Sequence, residues 1–257
     1  MQIRLLRHAT CVLRFSDLRI LTDPMLSRAE AMDPVQNAAN TRRIPLVELP
    51  LDTVGLAALI RRLDAVLVTH LHRDHFDARA GELLPTTLPV LCQPPDAGHF
   101  GALGFQAVVP VETETEWRGM RLTRTGGRHG TGDVGRTMGM VSGFVLRGPA
   151  EPSVYLAGDT IWCEEVQEAL ARHRPEVIVV NSGAAQFVAG GPITMTAEDV
   201  IRVCRAAPAA TVVAVHLGAL NHCLLTRAEL GQALDEAGVL SQVRIPADGE
   251  TLTFSHH

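Results

Sequence analysis

A ten-residue segment restricts the fold more than any other feature of this sequence. Residues 68–77 read Val-Thr-His-Leu-His-Arg-Asp-His-Phe-Asp and continue an apolar, β-branched run that begins at Ala65. Three histidines and one aspartate therefore fall within six residues at the end of a predicted buried strand. Because alternate side chains of such a turn point to different sides, imidazole and carboxylate groups can bind two adjacent cations there. The segment predicts a sheet with a metal site at a strand end.

Hydrophobic periodicity and capping signals predict the remaining strands and helices. The predicted strands are 3–6, 12–15, 19–21, 65–69, 88–91, 106–109, 120–125, 140–146, 153–157, 176–180, 211–215 and 242–245. The predicted helices lie near 53–63, 76–84, 161–172, 196–206 and 226–236. Capping boxes at Thr196 and Thr226 mark two of the helix starts.

Strands predominate and the helices are interspersed among them, which favours helices on the outer faces of two packed sheets. We predict an α+β fold, a four-layer αββα sandwich with two mixed sheets face to face. A single domain is predicted over residues 1–257, with two similar halves that meet near residue 120. Residues 24–50 contain four prolines and little periodicity, and are predicted to form a lid or binding loop.

The composition excludes several classes of protein. All 23 basic residues are arginine, so a phosphate-binding loop ending in Gly-Lys and a lysine Schiff base are excluded. The net charge of -5 argues against a nucleic-acid groove, and no apolar run approaches the ~20 residues that cross a membrane. The five cysteines are scattered singly, which argues against disulfides and thiolate zinc sites and favours a reducing compartment. We therefore predict a cytoplasmic protein whose partner is a small-molecule substrate. Assembly into a homo-oligomer stays open. His256-His257 is interpreted as a tag remnant, with native residues as the alternative.

The His-x-His-x-Asp-His pattern of residues 70–75 resembles the signature of the metallo-β-lactamase superfamily, and further motifs follow in the family's order. A histidine in a glycine-rich turn corresponds to His129 in Gly-Gly-Arg-His-Gly. An aspartate after a strand corresponds to Asp159 in Tyr-Leu-Ala-Gly-Asp-Thr, and a histidine that ends a late strand corresponds to His216. The resemblance covers essentially the whole chain, and it implies the αββα fold of a metal-dependent hydrolase.

The resemblance implies two divalent metal ions that share a hydroxide of lowered pKa. Zinc is favoured and manganese is the alternative, because His72 stands where the di-iron branch of the family usually has glutamate. Asp159 stands where the lactam-hydrolysing members with a cysteine ligand would need cysteine, so it resembles the lactonase, thioesterase and phosphodiesterase branches. The implied ligands are His70, His72 and His129 for the first ion, Asp74, His75 and His216 for the second, and Asp159 for both.

The compact branch related to L-ascorbate-6-phosphate lactonase resembles this chain in particular. The shared features are Leu-Thr-Asp-Pro at residues 21–24 and Met-Thr-Ala-Glu-Asp at residues 195–199, before the last metal strand. This resemblance implies a lactonase-like or esterase-like enzyme for a small metabolite, anionic metabolites included. Two other functions stay open: a phosphodiesterase for small molecules or cyclic nucleotides, and a non-catalytic metal-binding sensor.

Asp74 and His222 are the candidates for returning a proton to the leaving group. His222 lies six residues after His216 and competes with it as a metal ligand, and we favour His216 because it directly follows a strand. A hydrogen bond from His222 to loop backbone is the alternative to a catalytic role. The family pattern leaves no place for a cysteine nucleophile, so Cys163 and Cys223 are interpreted as non-catalytic.

Several further residues are candidates for contacts around the metals. Asp23 ends a strand before Pro24 and is interpreted as orienting a ligand imidazole, with an Asx-type turn as the alternative. Asn181 either contacts substrate or ends a strand in a turn. His8 is interpreted as a packed, hydrogen-bonded residue, with a functional role as the alternative. Arginines can select an anionic substrate by bidentate contacts, and a solvated surface position is the alternative for each. The candidates are Arg42 and Arg43 in the loop and Arg73, Arg128 and Arg136 beside the metal motifs.

Overall fold

A computed structural model describes residues 1–255 as two seven-stranded sheets with seven α-helices, and the predicted tag remnant His256-His257 lies outside the described residues. The strands are β1 (Gln2–Arg7), β2 (Thr10–Phe15), β3 (Leu18–Thr22), β4 (Ala65–Val68), β5 (Val90–Cys92), β6 (Val108–Pro110), β7 (Glu114–Trp117), β8 (Met120–Thr125), β9 (Gly143–Arg147), β10 (Val154–Leu156), β11 (Val177–Asn181), β12 (Thr211–Val215), β13 (Val243–Arg244) and β14 (Thr251–Thr253). The helices are α1 (Thr53–Ile60), α2 (Ala78–Leu83), α3 (Ala97–Ala102), α4 (Gly132–Met138), α5 (Glu164–His173), α6 (Ala197–Ala206) and α7 (Arg227–Glu236).

The direction of the strands decides which residues can meet. The first sheet has the order β14-β1-β2-β3-β4-β5-β6, and the second has the order β13-β12-β11-β10-β9-β8-β7. Strands β3 to β6 are mutually parallel, as are β10 to β13. Strand β1 runs in the direction of β3 because both are antiparallel to β2. The carboxyl ends of β1, β3 and β4 therefore lie at one edge of the first sheet, and those of β10, β11 and β12 at one edge of the second.

Apolar residues fill three layers of the molecule. Leu67 of the first sheet and Phe144 of the second belong to one buried cluster between the sheets. Helices α1, α2 and α3 cover the outer face of the first sheet through residues such as Leu56 and Phe100. Helices α5, α6 and α7 cover the second sheet, where Leu230 is fully buried. The predicted αββα sandwich is confirmed. None of the helices within residues 1–255 combines the length and apolar character needed to cross a bilayer.

Four elements, β7, β14, α3 and α4, are absent from the predicted set. Helices α3 and α4 each contain two glycines, and each glycine lowers helix propensity by about 1 kcal/mol relative to alanine. Strands β7 and β14 are short edge strands with exposed residues, so they lack an apolar run. The capping boxes at Thr196 and Thr226 are confirmed. Each threonine hydroxyl accepts the backbone N–H three residues later, and the acidic side chain at that later position accepts the backbone N–H of the threonine.

Residues 24–50 form a long loop that is fastened at its centre. The Asn221 carboxamide accepts the N–H of Val35 at 2.9 Å and donates to the carbonyl oxygens of Val35 at 3.2 Å and Asn40 at 2.9 Å. The Asn40 side chain returns a bond to the Asn221 carbonyl oxygen at 2.9 Å. Ile44 of the loop is fully buried beside Leu220. The loop is therefore held against the segment that follows β12.

The guanidinium group of Arg7 holds both ends of the same loop. This side chain is fully buried at the end of β1. Its Nη2 donates to the carbonyl oxygens of Met25 at 2.8 Å and Ser27 at 2.9 Å, and its Nη1 donates to that of Val47 at 2.8 Å. Burial lowers the pKa of Arg7 to about 10, so the group stays charged at neutral pH.

We expect Arg7→Met to lower the free energy of unfolding by about 3 kcal/mol, because the carbonyl groups of buried Met25 and Ser27 and of partly buried Val47 lose a charged donor. Urea denaturation measures this loss, and limited proteolysis should show faster cleavage within residues 24–50. Arg244→Met is the matched control, since that side chain is exposed and makes one bond of 3.3 Å. A loss below about 1 kcal/mol for Arg7→Met would show that the loop does not need this anchor.

Candidate metal centre

Strand ends bring the predicted histidine and aspartate residues together. His8, Asp23 and His70 follow β1, β3 and β4 of the first sheet. Asp159 and His216 follow β10 and β12 of the second sheet. All five residues are at most 3% exposed. The two sheets therefore both contribute to one buried site at their edges.

Three of these residues have left-handed backbone conformations that are uncommon outside glycine. The φ angles are 61° for His8, 42° for Asp23 and 68° for His216. The His216 N–H donates to the His8 carbonyl oxygen at 3.0 Å, which links the two sheets at this point. Such conformations cost about 1–3 kcal/mol each and persist where the surrounding structure enforces them. Their concentration here is typical of a functional site.

The first cluster consists of three imidazole rings. Nδ1 of His72 lies 2.9 Å from Nε2 of His70 and 3.3 Å from Nε2 of His129. The outer nitrogens of the other two rings are engaged elsewhere: His70 Nδ1 lies 3.0 Å from the Thr69 hydroxyl, and His129 Nδ1 lies 2.7 Å from the Ile193 carbonyl oxygen. These contacts fix the rings so that their free nitrogens converge. The cluster could hold one metal ion.

The second cluster surrounds the carboxylate of Asp74. Its Oδ2 lies 3.1 Å from His8 Nε2, 3.6 Å from His75 Nε2 and 3.7 Å from His216 Nε2. These four residues form a second group that could hold a metal ion. His8 is packed and hydrogen-bonded as interpreted from the sequence, and it also belongs to this cluster, which agrees with the alternative of a functional role. The signal for it was present, because His8 directly follows β1 and β1 runs parallel to β3.

Asp159 lies between the two clusters. Its Oδ2 lies 3.2 Å from His75 Nε2 and 3.5 Å from His129 Nε2, and its Oδ1 lies 3.3 Å from His216 Nε2. Asn181 donates from Nδ2 to Asp159 Oδ1 at 2.6 Å. Asn181 therefore does more than end a strand, and it does not line the cavity next to the metal centre that is described below. It orients the aspartate that joins the clusters.

Asp23 fastens the histidine-rich turn from behind. Its Oδ1 accepts the Thr69 N–H at 2.8 Å, and its Oδ2 accepts the Thr69 hydroxyl at 2.9 Å. The same Oδ2 lies 2.9 Å from His75 Nδ1. A carboxylate against the outer nitrogen of a ligand imidazole fixes the ring and increases its basicity. This geometry agrees with the orienting role predicted for Asp23.

The donor groups fit divalent cations. Nε2 of His75 and Nε2 of His216 are buried without a hydrogen-bond partner, and both point to Asp159. Imidazole nitrogens that face one another across about 3 Å repel unless a proton or a cation lies between them. Nitrogen donors with a few carboxylate oxygens suit zinc and similar divalent ions. The site therefore has the composition and convergence of a metal centre.

Burial and the three nearby carboxylates set the charge of the cluster. Burial lowers the pKa of His75, but the attraction of Asp159, Asp23 and Asp74 outweighs it, so the pKa lies well above its ordinary value. Burial likewise lowers the pKa of His216, and Asp159 raises it to well above the usual range. Burial raises the pKa of Asp159, yet His216 and His75 hold it well below its ordinary value. In the metal-free protein these two histidines therefore bind protons that a cation must displace.

We expect metal binding near neutral pH to release about one to two protons per molecule, and metal affinity to increase as the pH is raised. Because the pKa values of His75 and His216 are raised in the folded protein, their protonation stabilises the metal-free fold. This stabilisation is fully present at pH values below the ordinary histidine pKa. That stability is lost as the pH rises through the raised values. Calorimetric zinc titration in two buffers of different ionisation enthalpy counts the protons. Binding without net proton release would contradict this assignment of charges.

A cavity of about 550 Å³ opens directly onto the metal centre. His72, Asp74, His129 and Asp159 line its polar end. The other lining residues come from the loop, the turn after β4, helix α4 and the segments after β11 and β12. They are the apolar residues Pro34, Val35, Met138 and Phe187 and the polar residues Asp33, Gln36, Asn37, Arg73 and His222. A small organic molecule can therefore contact both the metal centre and an apolar surface.

The arginines named as candidates for substrate contact lie in different surroundings. Arg43 does not line the cavity, because its guanidinium group binds Asp33 and the carbonyl oxygens of Glu30 and Ala31 within its own loop. Arg128 binds Glu165, so it is also engaged outside the cavity. A sequence identifies an arginine near a motif, but it does not give the direction in which the guanidinium group points. Of the other candidates, Arg42 is exposed and Arg136 pairs with Asp133. Arg73 lines the cavity and donates to the Asp33 carbonyl oxygen.

The structure separates His216 from its competitor His222. His216 belongs to the second cluster. Among the described residues, His222 belongs to none of the groups that could hold a metal ion. The His222 ring lies in the cavity wall, stacked at 6.1 Å on Phe187, and is 6% exposed. Burial lowers the pKa of His222 to about 4, so the imidazole is neutral at pH 7. A neutral ring can donate one hydrogen bond to a molecule in the cavity.

The cysteines have no reactive thiolate. Burial raises the pKa of the Cys163 thiol and that of the Cys223 thiol. Cys223 Sγ lies 3.5 Å from Nδ1 of His216, on the side of the ring away from Asp159. A protonated thiol at this position supports the imidazole and is a poor nucleophile.

The αββα sandwich with histidine and aspartate clusters at the sheet edges defines the class of metallo-β-lactamase-fold hydrolases. Within that class, residues 18–217 match the family model described as "Beta-lactamase superfamily domain", and the chain belongs to this family of metal-dependent hydrolases.

Three known proteins are similar over the full length. The UPF0173 protein YddR of Bacillus subtilis is 37% identical, and the alignment covers 99% of this chain and 100% of YddR. The crystal structure of a possible metal-dependent hydrolase from Veillonella parvula has a TM-score of 0.94 at 33% identity, with 99% of each chain covered. The structure of isothiocyanate hydrolase from Delia radicum gut bacteria has a TM-score of 0.93 at 36% identity, with 100% of each chain covered.

Proposed function

We propose that this protein is a dinuclear metal-dependent hydrolase of small electrophilic molecules, with organic isothiocyanates as its substrate class. One observation carries the proposal: the cavity joins the metal centre to a wall of Val35, Met138 and Phe187. Among the described residues, Arg73 is the one arginine that lines this cavity. An uncharged molecule with an apolar tail suits such a wall better than a phosphate ester does. The similarity to an isothiocyanate hydrolase at 36% identity supports the same substrate class.

The proposed metal ligands are the residues of the first cluster, three of the four residues of the second cluster and the aspartate between them. Zinc is the preferred ion for this imidazole-rich set, and manganese is the alternative. Bound divalent cations supply Lewis acidity and lower the pKa of water toward neutrality. The proposed set is His70, His72 and His129 for one ion, Asp74, His75 and His216 for the other, and Asp159 for both.

The reaction consumes one water molecule. Water oxygen forms a bond to the central carbon of R–N=C=S, the C=N π bond breaks, and nitrogen takes up a proton to give a thiocarbamic acid. That acid then splits at its C–N bond: nitrogen takes up the second proton and leaves as the amine R–NH2, and the remainder leaves as carbonyl sulfide. Asp74, which lines the cavity, is proposed to accept the proton of water and to return it to nitrogen. The neutral His222 is proposed to donate a hydrogen bond to the sulfur, because the electron pair of the broken C=N π bond is shared between nitrogen and sulfur until nitrogen takes up the proton.

Benzyl isothiocyanate tests the proposal directly. We expect the zinc- or manganese-loaded protein to release benzylamine and carbonyl sulfide in equal amounts, with loss of turnover after chelation and recovery after metal is restored. Amine formation is measured by chromatography against a protein-free control. Fully metal-loaded protein that produces no amine above the uncatalysed rate would refute the isothiocyanate assignment.

A lactone or ester is the second candidate, because its carbonyl carbon is an electrophile of the same kind. In addition, Asp159 stands where lactam-hydrolysing enzymes with a cysteine ligand would need cysteine. A δ-lactone, a p-nitrophenyl ester and bis-p-nitrophenyl phosphate complete the panel. Turnover of the phosphate diester alone would instead indicate a phosphodiesterase. Tight binding of a panel member without turnover would indicate a metal-binding sensor.

A further inference from the structure

A second cavity lies on the outer face of the first sheet and is surrounded by arginine. It has a volume of about 330 Å³, and strands β1, β2 and β3 form its floor while α1 forms one wall. Four arginines line it: Arg4, Arg14, Arg19 and Arg62. No aspartate or glutamate is among the described residues that line it. In a chain of net charge -5, this is a local concentration of positive charge.

The strand register forces two of these charges together. Arg14 of β2 is the direct cross-strand partner of Arg19 of β3, so their side chains leave the same face of the sheet. Directly opposed like charges destabilise a sheet unless a counter-charge lies between them. None of the four guanidinium groups forms an ion pair with a carboxylate in residues 1–255. Asp64 accepts a bond from the Arg19 backbone N–H at 2.9 Å, but its ion-pair partner is Arg118.

The cavity is distinct from the metal centre. Arg4 lies four residues before His8 on β1, and Arg19 lies four residues before Asp23 on β3. Four residues of strand span about 13 Å, so the arginines lie toward the other end of the strands that reach the metal centre. Leu51, Leu59 and Val12 supply apolar contacts, and Gly55 and Ala58 leave the space open because their side chains are small or absent.

We propose that this cavity binds a compact phosphate-bearing metabolite. Guanidinium groups bind phosphate oxygens in pairs, and several of them around one cavity match a ligand with two or more negative charges. A long polyanion fits less well, because the remainder of the molecule is negative and would repel it. The volume of about 330 Å³ between α1 and the sheet also favours a small molecule over an extended strand.

Calorimetric titration with fructose 1,6-bisphosphate, and with inorganic phosphate in a second arm, tests the site on the metal-loaded protein. We expect the double variant Arg14→Gln/Arg19→Gln to weaken bisphosphate binding by about tenfold or more. The control Arg172→Gln/Arg205→Gln removes two exposed arginines of α5 and α6 and changes the net charge equally. It should change binding by less than about twofold. Equal weakening in both variants would mean non-specific charge attraction and would overturn the proposal.

Two further measurements separate the alternatives. Binding that persists after metal removal supports the arginine cavity, whereas binding that is lost with the metal assigns the anion to the metal centre and overturns the proposal. Without ligand at low salt, Arg14→Gln/Arg19→Gln should leave the melting temperature unchanged or raise it, because a repulsion is removed. A lowered melting temperature would assign these arginines a structural role instead. Tighter binding of a 20-nucleotide single-stranded DNA than of the bisphosphate would overturn the choice of a small ligand.

Discussion

Asp159→Asn should lower kcat/KM by about a thousandfold or more and reduce the metal content from the proposed two ions per chain to one or fewer. Asp159 lies within 3.5 Å of His75, His129 and His216, so it contacts both clusters. The amide keeps the shape of the side chain but lacks the negative charge that binds cations. Loss of about 4 kcal/mol of transition-state stabilisation corresponds to this factor. Steady-state kinetics on the isothiocyanate substrate and elemental analysis measure the two effects.

The control for Asp159→Asn is Asp235→Asn, an exposed aspartate of α7 for which both activity and metal content should stay unchanged. Asn181→Ala gives an intermediate test, because it removes the 2.6 Å bond that orients Asp159 but leaves the charge. Its metal affinity should fall by about 10–100-fold. If Asp159→Asn retained two tightly bound ions, the aspartate would not join the clusters as proposed.

His222→Phe should lower kcat by about a hundredfold while the metal content stays unchanged. His222 lines the cavity but belongs to none of the described groups that could hold a metal. Phenylalanine preserves the stacking on Phe187 and removes only the hydrogen-bond donor. Loss of one donor to a developing charge typically costs a factor of about 10²–10³. Single-turnover kinetics with benzyl isothiocyanate and metal analysis of the same samples separate the two quantities.

His222→Gln provides the conservative comparison, since its amide can donate a hydrogen bond from a similar position, and it should recover part of the lost rate. Burial lowers the pKa of His222 to about 4, so the ring is mainly neutral from pH 5 to 8. As a neutral donor, His222 should therefore cause no fall in rate as the pH rises over this range. A rate unchanged by His222→Phe would remove His222 from the mechanism. Loss of one ion in this variant would make it a ligand instead.

The fold and most of the site could be predicted because the informative residues are local in the sequence. His70, His72, Asp74 and His75 lie in one turn after an apolar strand, and the strand direction fixes the edge to which they belong. Parallel strand order then places Asp159 at the corresponding edge of the second sheet. These positions depend on β periodicity and chain direction, which a single sequence carries.

Contacts between distant segments could not be predicted. His8 and Asp74 are 66 residues apart, and only the pairing of β1, β2 and β3 brings their side chains to 3.1 Å. Asn181 was correctly placed at a strand end, but its partner Asp159 is determined by the neighbouring strand β10. Arg43 was a candidate for substrate contact, with a surface position as the alternative, and carbonyl oxygens within its own loop satisfy its guanidinium group.

The position of the clusters across the seam between the sheets has a consequence beyond chemistry. His70 and Asp74 belong to one half of the sandwich, and Asp159 and His216 to the other, so ions held by both would clasp the halves together. A ligand that binds only the folded state adds its binding free energy to the stability of that state. The supply of the ion would then govern how long each copy resists proteases as well as how fast it turns over substrate. Depletion of the metal would then lower both the amount of the protein and its activity.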